Sequence, residues 1–154
     1  MKRTKAIEIL DAKKVSYELR EFEAVELTTN EVAAKLGIPI EWVYKTLVVA
    51  GQSGKMMMAI VRGDMELNLK AFAKVLGEKK CDLIPQGDLQ RVTGYLKGGC
   101  SPLGSKKVLP VYIDNTAKDV VRISVSAGLR GLQMLVNAED LAKVVNASFF
   151  DLQC

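Results

Sequence analysis

The sequence G-Y-L-K-G-G-C-S-P-L-G-S-K-K, residues 94–107, restricts the fold more than any other part of the chain. Four glycines and one proline fall between Gly94 and Gly104, a density that excludes a regular helix or a central strand. The stretch predicts a rigid loop whose backbone N–H groups can approach a ligand closely. No acid occurs from residue 89 to residue 113, where the basic residues are Arg91, Lys97, Lys106 and Lys107. Two interpretations stay open: a site for an anion or a developing oxyanion, and a tight turn with solvated lysines.

Length and composition favour one globular domain over residues 1–154. Hydrophobic residues make up 49% of the chain, enough for a packed core. The net charge of +4 permits contact with a polyanion without requiring one. The three cysteines lack metal-ligand or disulfide spacing, and no apolar segment approaches the length of a membrane span. We therefore expect a cytoplasmic protein without membrane contact.

Histidine is absent from the sequence. Its absence excludes Ser-His-Asp and Cys-His catalysis and histidine-ligated zinc. Any chemistry must use lysine, carboxylates, hydroxyls, backbone dipoles or the substrate itself. We expect neither a metal nor another cofactor.

Hydrophobic periodicity predicts short helices interleaved with short strands. Helices are expected at 5–13, 28–36, 69–76 and 138–145, and strands at 15–19, 43–50, 55–61, 108–113, 120–126 and 132–136. Thr28 and Glu31 have the spacing of a capping box, and Gly37 and Gly77 are helix stops. Several connections are too short for crossover helices, so the pattern predicts an α+β fold with a mixed or mainly antiparallel sheet.

Three places in the sequence are candidates for chemistry, and each has a structural alternative. Lys45 shares a strand face with Leu47 and Val49, so it either snorkels from an apolar face or meets an anion at a pocket mouth. The loop from Ser126 is either an ordinary hairpin turn or, opposite the first glycine loop, part of an oxyanion hole. Cys100 is a candidate nucleophile, but no base is identified that would activate its thiol, so a packing role is favoured.

Three motifs in register resemble the YbaK/ProX family of free-standing aminoacyl-tRNA deacylases. They are the first glycine loop, the strand Y-K-T-L-V-V at residues 44–49 and the second glycine loop S-V-S-A-G-L-R-G at residues 124–131. The resemblance extends over nearly the whole chain. It implies a closed or nearly closed β-barrel flanked by short helices.

The resemblance also implies a set of site residues. The catalytic positions would be Lys45, Gly98, Gly99, Ser126 and Ala127. The substrate-binding positions would be Phe22, Thr46, Tyr95, Ser101, Pro102, Gly128, Arg130 and Gln133. Gln133 stands where some members carry an aspartate, and Phe22 where some carry a tyrosine, so contacts made by those groups are in doubt here.

The function implied by the resemblance is hydrolytic editing of mischarged tRNA in trans. The Gly98-Gly99-x-Ser-Pro-Leu-Gly form of the first loop favours the cysteine-directed branch, with Cys-tRNA(Pro) and Cys-tRNA(Cys) as substrates. In that branch the thiol of the substrate attacks its own ester, and prolyl-tRNA synthetase is the expected partner. Two alternatives remain: a non-catalytic tRNA- or nucleotide-binding module, and a deacylase of different amino-acid specificity.

Overall fold

Short helices and strands alternate along residues 3–153, which are the residues that the computed structural model describes. The α-helices are α1 (Lys5–Ala12), α2 (Thr29–Leu36), α3 (Leu69–Leu76), α4 (Leu89–Thr93) and α5 (Ala138–Val145). The strands are β1 (Tyr17–Glu21), β2 (Tyr44–Gly51), β3 (Met56–Arg62), β4 (Cys81–Leu83), β5 (Val111–Asp114), β6 (Ile123–Leu129), β7 (Leu132–Val136) and β8 (Ser148–Phe150). Cys154, one of the three cysteines, lies outside the described residues.

Local capping fixes the helix ends where the sequence predicts them. The Thr28 hydroxyl accepts from the Glu31 N–H at 3.2 Å, and the Glu31 carboxylate accepts from the Thr28 N–H at 3.0 Å. This reciprocal pair is the predicted capping box of α2. Gly37 and Gly77 follow α2 and α3 with φ of 68° and 71°, a conformation that glycine adopts without strain.

Two sheets form the framework. The smaller sheet has the antiparallel order β1-β7-β6, and the larger has the order β4-β2-β3-β5-β8. In the larger sheet β2 pairs antiparallel with both β3 and β4, whereas β5 pairs parallel with β3 and β8. The prediction of an α+β fold with a mixed, mainly antiparallel sheet is confirmed.

The expected barrel is not closed. The two sheets meet at one parallel bridge, between Val43 and Ser124, and no ladder continues from it. Beyond the bridge β2 keeps its pairing with β3, while β6 keeps its pairing with β7. The sheets therefore diverge, and the gap between β2 and β6 becomes the main cleft of the protein.

Three elements were missing from the sequence prediction, and three strands are displaced from it, among them β1, which was predicted at 15–19 and lies at Tyr17–Glu21. The missing elements are β4, α4 and β8, all five residues or shorter. The strand predicted at 108–113 begins only at Val111, because Pro110 has no N–H to donate to a ladder. The strand predicted at 120–126 begins at Ile123 and runs on to Leu129, following a 3₁₀ turn at Asn115–Asp119.

Most core residues lie between the two sheets and under α1 and α5. A smaller apolar cluster lies on the other face of the larger sheet, where Val49, Val61 and Phe72 are fully buried. Within residues 3–153 no helix combines the length and the apolar character that crossing a membrane would require.

Candidate functional site

A cleft of about 450 Å³ opens where β2 and β6 diverge. Its walls come from β2, from the two glycine loops and from the loop that precedes α2. Seven of the predicted site residues line it: Phe22, Lys45, Thr46, Gly98, Ser126, Arg130 and Gln133. The structure thus brings residues from five separate segments of the sequence to one cavity.

Lys45 is a partly exposed cation in the wall of this cleft. It lies opposite Val61 on β3, on the face of β2 that carries the buried Val49. The nearby Asp64 is already engaged, because Arg62 donates two hydrogen bonds to it, at 2.7 and 3.0 Å. These bonds lower the pKa of Asp64 most, and the charge of Lys45 adds a smaller effect. Within the described residues Lys45 has no carboxylate within 4 Å, so its charge is available to an anionic ligand.

The two glycine loops touch each other at the rim of the cleft. A Cβ on Gly99 would lie 3.0 Å from the Arg130 backbone N and 3.2 Å from the Leu129 carbonyl carbon. A Cβ on Gly98, where φ is 84°, would lie 2.9 Å from Arg130 Nε. The Arg130 guanidinium also donates to the Lys97 carbonyl at 2.9 Å. Arg130 therefore ties the second loop to the first, and glycine is needed for this approach.

Hydrogen bonding decides which N–H groups of the first loop are free. The Gly99 N–H donates to the Leu96 carbonyl at 2.9 Å, so it is already used within the loop. The N–H groups of Gly98 and Cys100 have no acceptor among the described residues, and both residues line the cleft. The Gly128 N–H donates to the Ser126 hydroxyl at 3.2 Å. Of these four N–H groups, those of Gly99 and Gly128 are therefore engaged within the loops, whereas those of Gly98 and Cys100 are not.

Ser126 and Gln133 face each other across the β6–β7 pair and are each 8% exposed. The Gln133 carbonyl oxygen accepts from the Ser124 hydroxyl at 2.7 Å, which fixes the amide in place. An amide cannot act as the general base that an aspartate at this position could provide. The polar groups at this end of the cleft can therefore orient a ligand but not deprotonate a water molecule.

Several other predicted site residues support the loops from behind. The Tyr95 hydroxyl donates to the Leu103 carbonyl, and its ring packs close to Gly104 and Gly128. Ser101 is fully buried, and its hydroxyl accepts from the Leu103 N–H at 3.2 Å. Outside the cleft lining are Tyr95, Gly99, Ser101, Pro102, Ala127 and Gly128. A direct role for these six in binding or catalysis stays a prediction.

No sequence pattern indicated the apolar wall of the cleft or an ion pair at its mouth. Val25, Leu27, Val32, Ile84 and Leu89 form that wall. Glu26 reaches across to Lys97, with 3.1 Å between carboxylate oxygen and ammonium nitrogen. Both side chains are exposed, so the pair contributes at most about 1 kcal/mol and opens readily.

Cys100 is 8% exposed in the cleft wall. Burial raises the pKa of its thiol to about 11, against a smaller lowering effect of a hydrogen bond with Thr93. At neutral pH only about one thiol in ten thousand is then ionised. A thiolate is the nucleophilic form of cysteine, so the structure favours the packing role.

The contact between the loops predicts a specific stability loss for Gly99→Ala. The added methyl group meets backbone atoms of Leu129 and Arg130, which cannot swing aside, and we expect a loss of about 1–3 kcal/mol in the free energy of unfolding. Gly87→Ala is the matched control, because a Cβ there would have no atom within 4 Å and the backbone needs no positive φ. Urea unfolding of both variants checks the prediction. Equal losses would show that the loops do not depend on this contact.

Comparison with known proteins assigns the chain to a family. The family model described as "Aminoacyl-tRNA editing domain" matches residues 24–144. The chain is 38% identical over 152 residues to EbsC of Enterococcus faecalis, a protein named as a Cys-tRNA(Pro)/Cys-tRNA(Cys) deacylase; the match covers 97% of this chain and 93% of EbsC. A proline–tRNA ligase of Trichlorobacter lovleyi is 34% identical over 100 residues, which cover 65% of this chain and 17% of the ligase.

Solved structures support the same assignment at the level of the fold. A structure titled as a trans-editing enzyme for prolyl-tRNA synthetase superposes with a TM-score of 0.86 at 21% identity, covering 100% of this chain and 99% of that one. The hypothetical protein APE2540 superposes with a TM-score of 0.90 at 21% identity, covering 98% of this chain and 100% of that one. The chain thus combines two sheets, a cleft between them and paired glycine loops. It belongs to the aminoacyl-tRNA editing domain family.

Proposed function

We propose that this protein is a trans-editing deacylase that releases cysteine from the 3′ end of Cys-tRNA(Pro). The observation that carries the proposal is the cleft itself. Its lining combines Lys45, which has no carboxylate partner among residues 3–153, with two backbone N–H groups that have no acceptor there. The similarity to EbsC over nearly the full length of both chains supports the cysteine substrate. We also propose that the protein is cytoplasmic, because charged tRNA is its proposed substrate.

Editing of this kind is needed because a binding pocket discriminates poorly between amino acids of similar size. Proline and cysteine are similar in size, and a difference of one methylene group gives a pocket only about 10–200-fold discrimination. A second site that destroys the wrong product removes this limit. The match to about 100 residues of a proline–tRNA ligase supports prolyl-tRNA synthetase as the source of the mischarged tRNA and as a proposed partner.

The cleft residues have separate roles in binding and catalysis. Lys45 supplies a compact positive charge for the terminal phosphate or adenosine of the tRNA. The apolar wall takes a small side chain, and Ser126 and Gln133 orient the aminoacyl group. The free N–H groups of Gly98 and Cys100 stabilise the oxyanion that forms when the ester carbonyl is attacked.

The nucleophile is the thiol of the substrate. Its thiolate attacks the ester carbonyl carbon, a C–S bond forms, and the bond to the ribose 3′ oxygen breaks. The ribose oxygen takes up a proton and leaves, and the amino acid departs as a cyclic thiolactone. The absence of histidine, the pKa of about 11 for Cys100 and the amide at Gln133 support this route, because none of these groups activates water. The protein then acts mainly by positioning.

Replacing Lys45 by alanine should abolish deacylation without unfolding the protein, since its charge holds substrate and no core contact depends on it. Lys55→Ala is the control, because Lys55 is an exposed lysine just before β3, at the far end of the same hairpin. Turnover of Cys-tRNA(Pro) and thermal unfolding are measured for both variants. Normal turnover in a folded Lys45→Ala protein would remove Lys45 from the site.

Replacing Cys100 by valine should leave most of the activity, because an aliphatic side chain fills the same space and the backbone N–H is retained. The measurement is the single-turnover rate together with the melting temperature. Loss of turnover at an unchanged melting temperature would instead identify Cys100 as a nucleophile.

The choice of substrate tests the mechanism. Cysteine has a reference pKa near 8.5, so a few per cent of its thiol is ionised at neutral pH, whereas a serine hydroxyl provides essentially no alkoxide. We therefore expect cleavage of tRNA(Pro) charged with cysteine to be far faster than cleavage of the same tRNA charged with serine. Similar single-turnover rates would contradict substrate-assisted cleavage, and binding without any turnover would favour a tRNA-binding module.

A further inference from the structure

The outer surface of the first glycine loop carries cations that the cleft does not use. Lys106 and Lys107 are both exposed, and within residues 3–153 neither has a carboxylate within 4 Å. Their backbone N–H groups donate to the carbonyls of Thr93 at 2.8 Å and Val92 at 3.1 Å, at the end of α4. The two charges are therefore held on a fixed backbone and are not neutralised by a neighbour.

Two further cations come from other elements to the same surface. Arg91 is exposed on α4, where its contact with Asp88 is long, at 3.4 Å. Lys5 begins α1, and its side chain lies 3.1 Å from the Cβ position of Gly104. We call this surface the basic rim; it consists of Lys5, Arg91, Lys106 and Lys107. It is a surface of local positive charge on a chain whose net charge is only +4.

The basic rim begins where the cleft ends. Lys97 stands at the cleft mouth, and Gly94, three residues before it, has a Cβ position 3.7 Å from the Lys106 side chain. Apolar side chains beside these charges in the sequence are also exposed, since Leu96 is 63% and Val108 is 96% exposed. A ligand whose end occupies the cleft and whose body is a polyanion would therefore continue over this surface.

We propose that the basic rim binds backbone phosphates in the acceptor stem of the tRNA whose 3′ end occupies the cleft; this inference rests on the proposed function. Lysine and arginine contacts to phosphate position a nucleic acid without selecting its sequence. The rim then provides affinity for tRNA in general, while the cleft selects the amino acid. A nucleic acid is the favoured partner because the proposed ligand of the adjoining cleft is the 3′ end of a polyanion.

The test compares two double variants that remove equal charge. Lys106→Ala with Lys107→Ala removes the rim pair. Lys79→Ala with Lys80→Ala removes an exposed lysine pair beside Gln52, at the end of β2 opposite Lys45. Each is assayed with full-length Cys-tRNA(Pro) and with a CCA trinucleotide charged with cysteine. Binding of uncharged tRNA(Pro) is measured alongside, so the rim is tested even if no deacylation occurs.

We expect the rim variant to raise KM for the full tRNA by about tenfold at low salt, with kcat unchanged. The slope of log KM against log salt should also fall by about 1–2, because two phosphate contacts are lost. Its KM for the trinucleotide should not change, and the control pair should behave as wild type on both substrates. Lys106→Arg with Lys107→Arg should retain wild-type affinity, because the charge and not the lysine shape is required.

Four results would overturn the proposal. An unchanged KM and unchanged binding of uncharged tRNA would show that tRNA does not touch the rim. An equal loss with the trinucleotide would place the two lysines in the cleft instead. Equal effects of both double variants would indicate bulk charge alone. A loss seen only when prolyl-tRNA synthetase is present would make the partner a protein.

Discussion

The contact between the two glycine loops is the constraint on which the site depends. A Cβ at Gly98 would crowd the Arg130 side chain and one at Gly99 would crowd the backbone of Leu129 and Arg130, and the Arg130 guanidinium closes the contact by donating to the Lys97 carbonyl. One loop follows α4 and the other joins β6 to β7, so this contact connects the smaller sheet to the segment that carries the free N–H groups. Without it the donors of the first loop would have no fixed position relative to Ser126 and Gln133.

Local signals were sufficient for the elements that end in caps. Residues close in sequence determine the boundaries of α2, α3 and α5 and of the β2–β3 hairpin. Examples are Thr28 with Glu31, and the glycines that follow α2 and α3. The elements that escaped prediction depend on distant partners. Strand β4 has three residues, two of them exposed, and it is a strand only because β2 offers a free edge. Strand β8 likewise depends on β5.

The site could be predicted only where its residues belong to local sequence motifs. Lys45, Gly98, Ser126 and Arg130 belong to recognisable motifs, and the fold brings them to one cleft. The wall opposite them could not be predicted, because its apolar residues come from separate segments: the loop before α2, α2 itself, and the stretch from β4 to the start of α4. The hydrogen bond from the Gly99 N–H to the Leu96 carbonyl could not be predicted either, because no sequence pattern indicates it.

The open geometry of the sheets and the chemistry of the cleft fit one another. A closed barrel would have filled the space between β2 and β6 with side chains, whereas here the single bridge at Val43 leaves a cleft of about 450 Å³. The exposed pair of Glu26 and Lys97 crosses the mouth at little energetic cost, so entry does not require unfolding of either sheet. In the mechanism that we propose, a substrate that brings its own nucleophile needs only such a space, a positive charge and two fixed donors. That mechanism would explain how a chain without histidine can accelerate the cleavage of an ester.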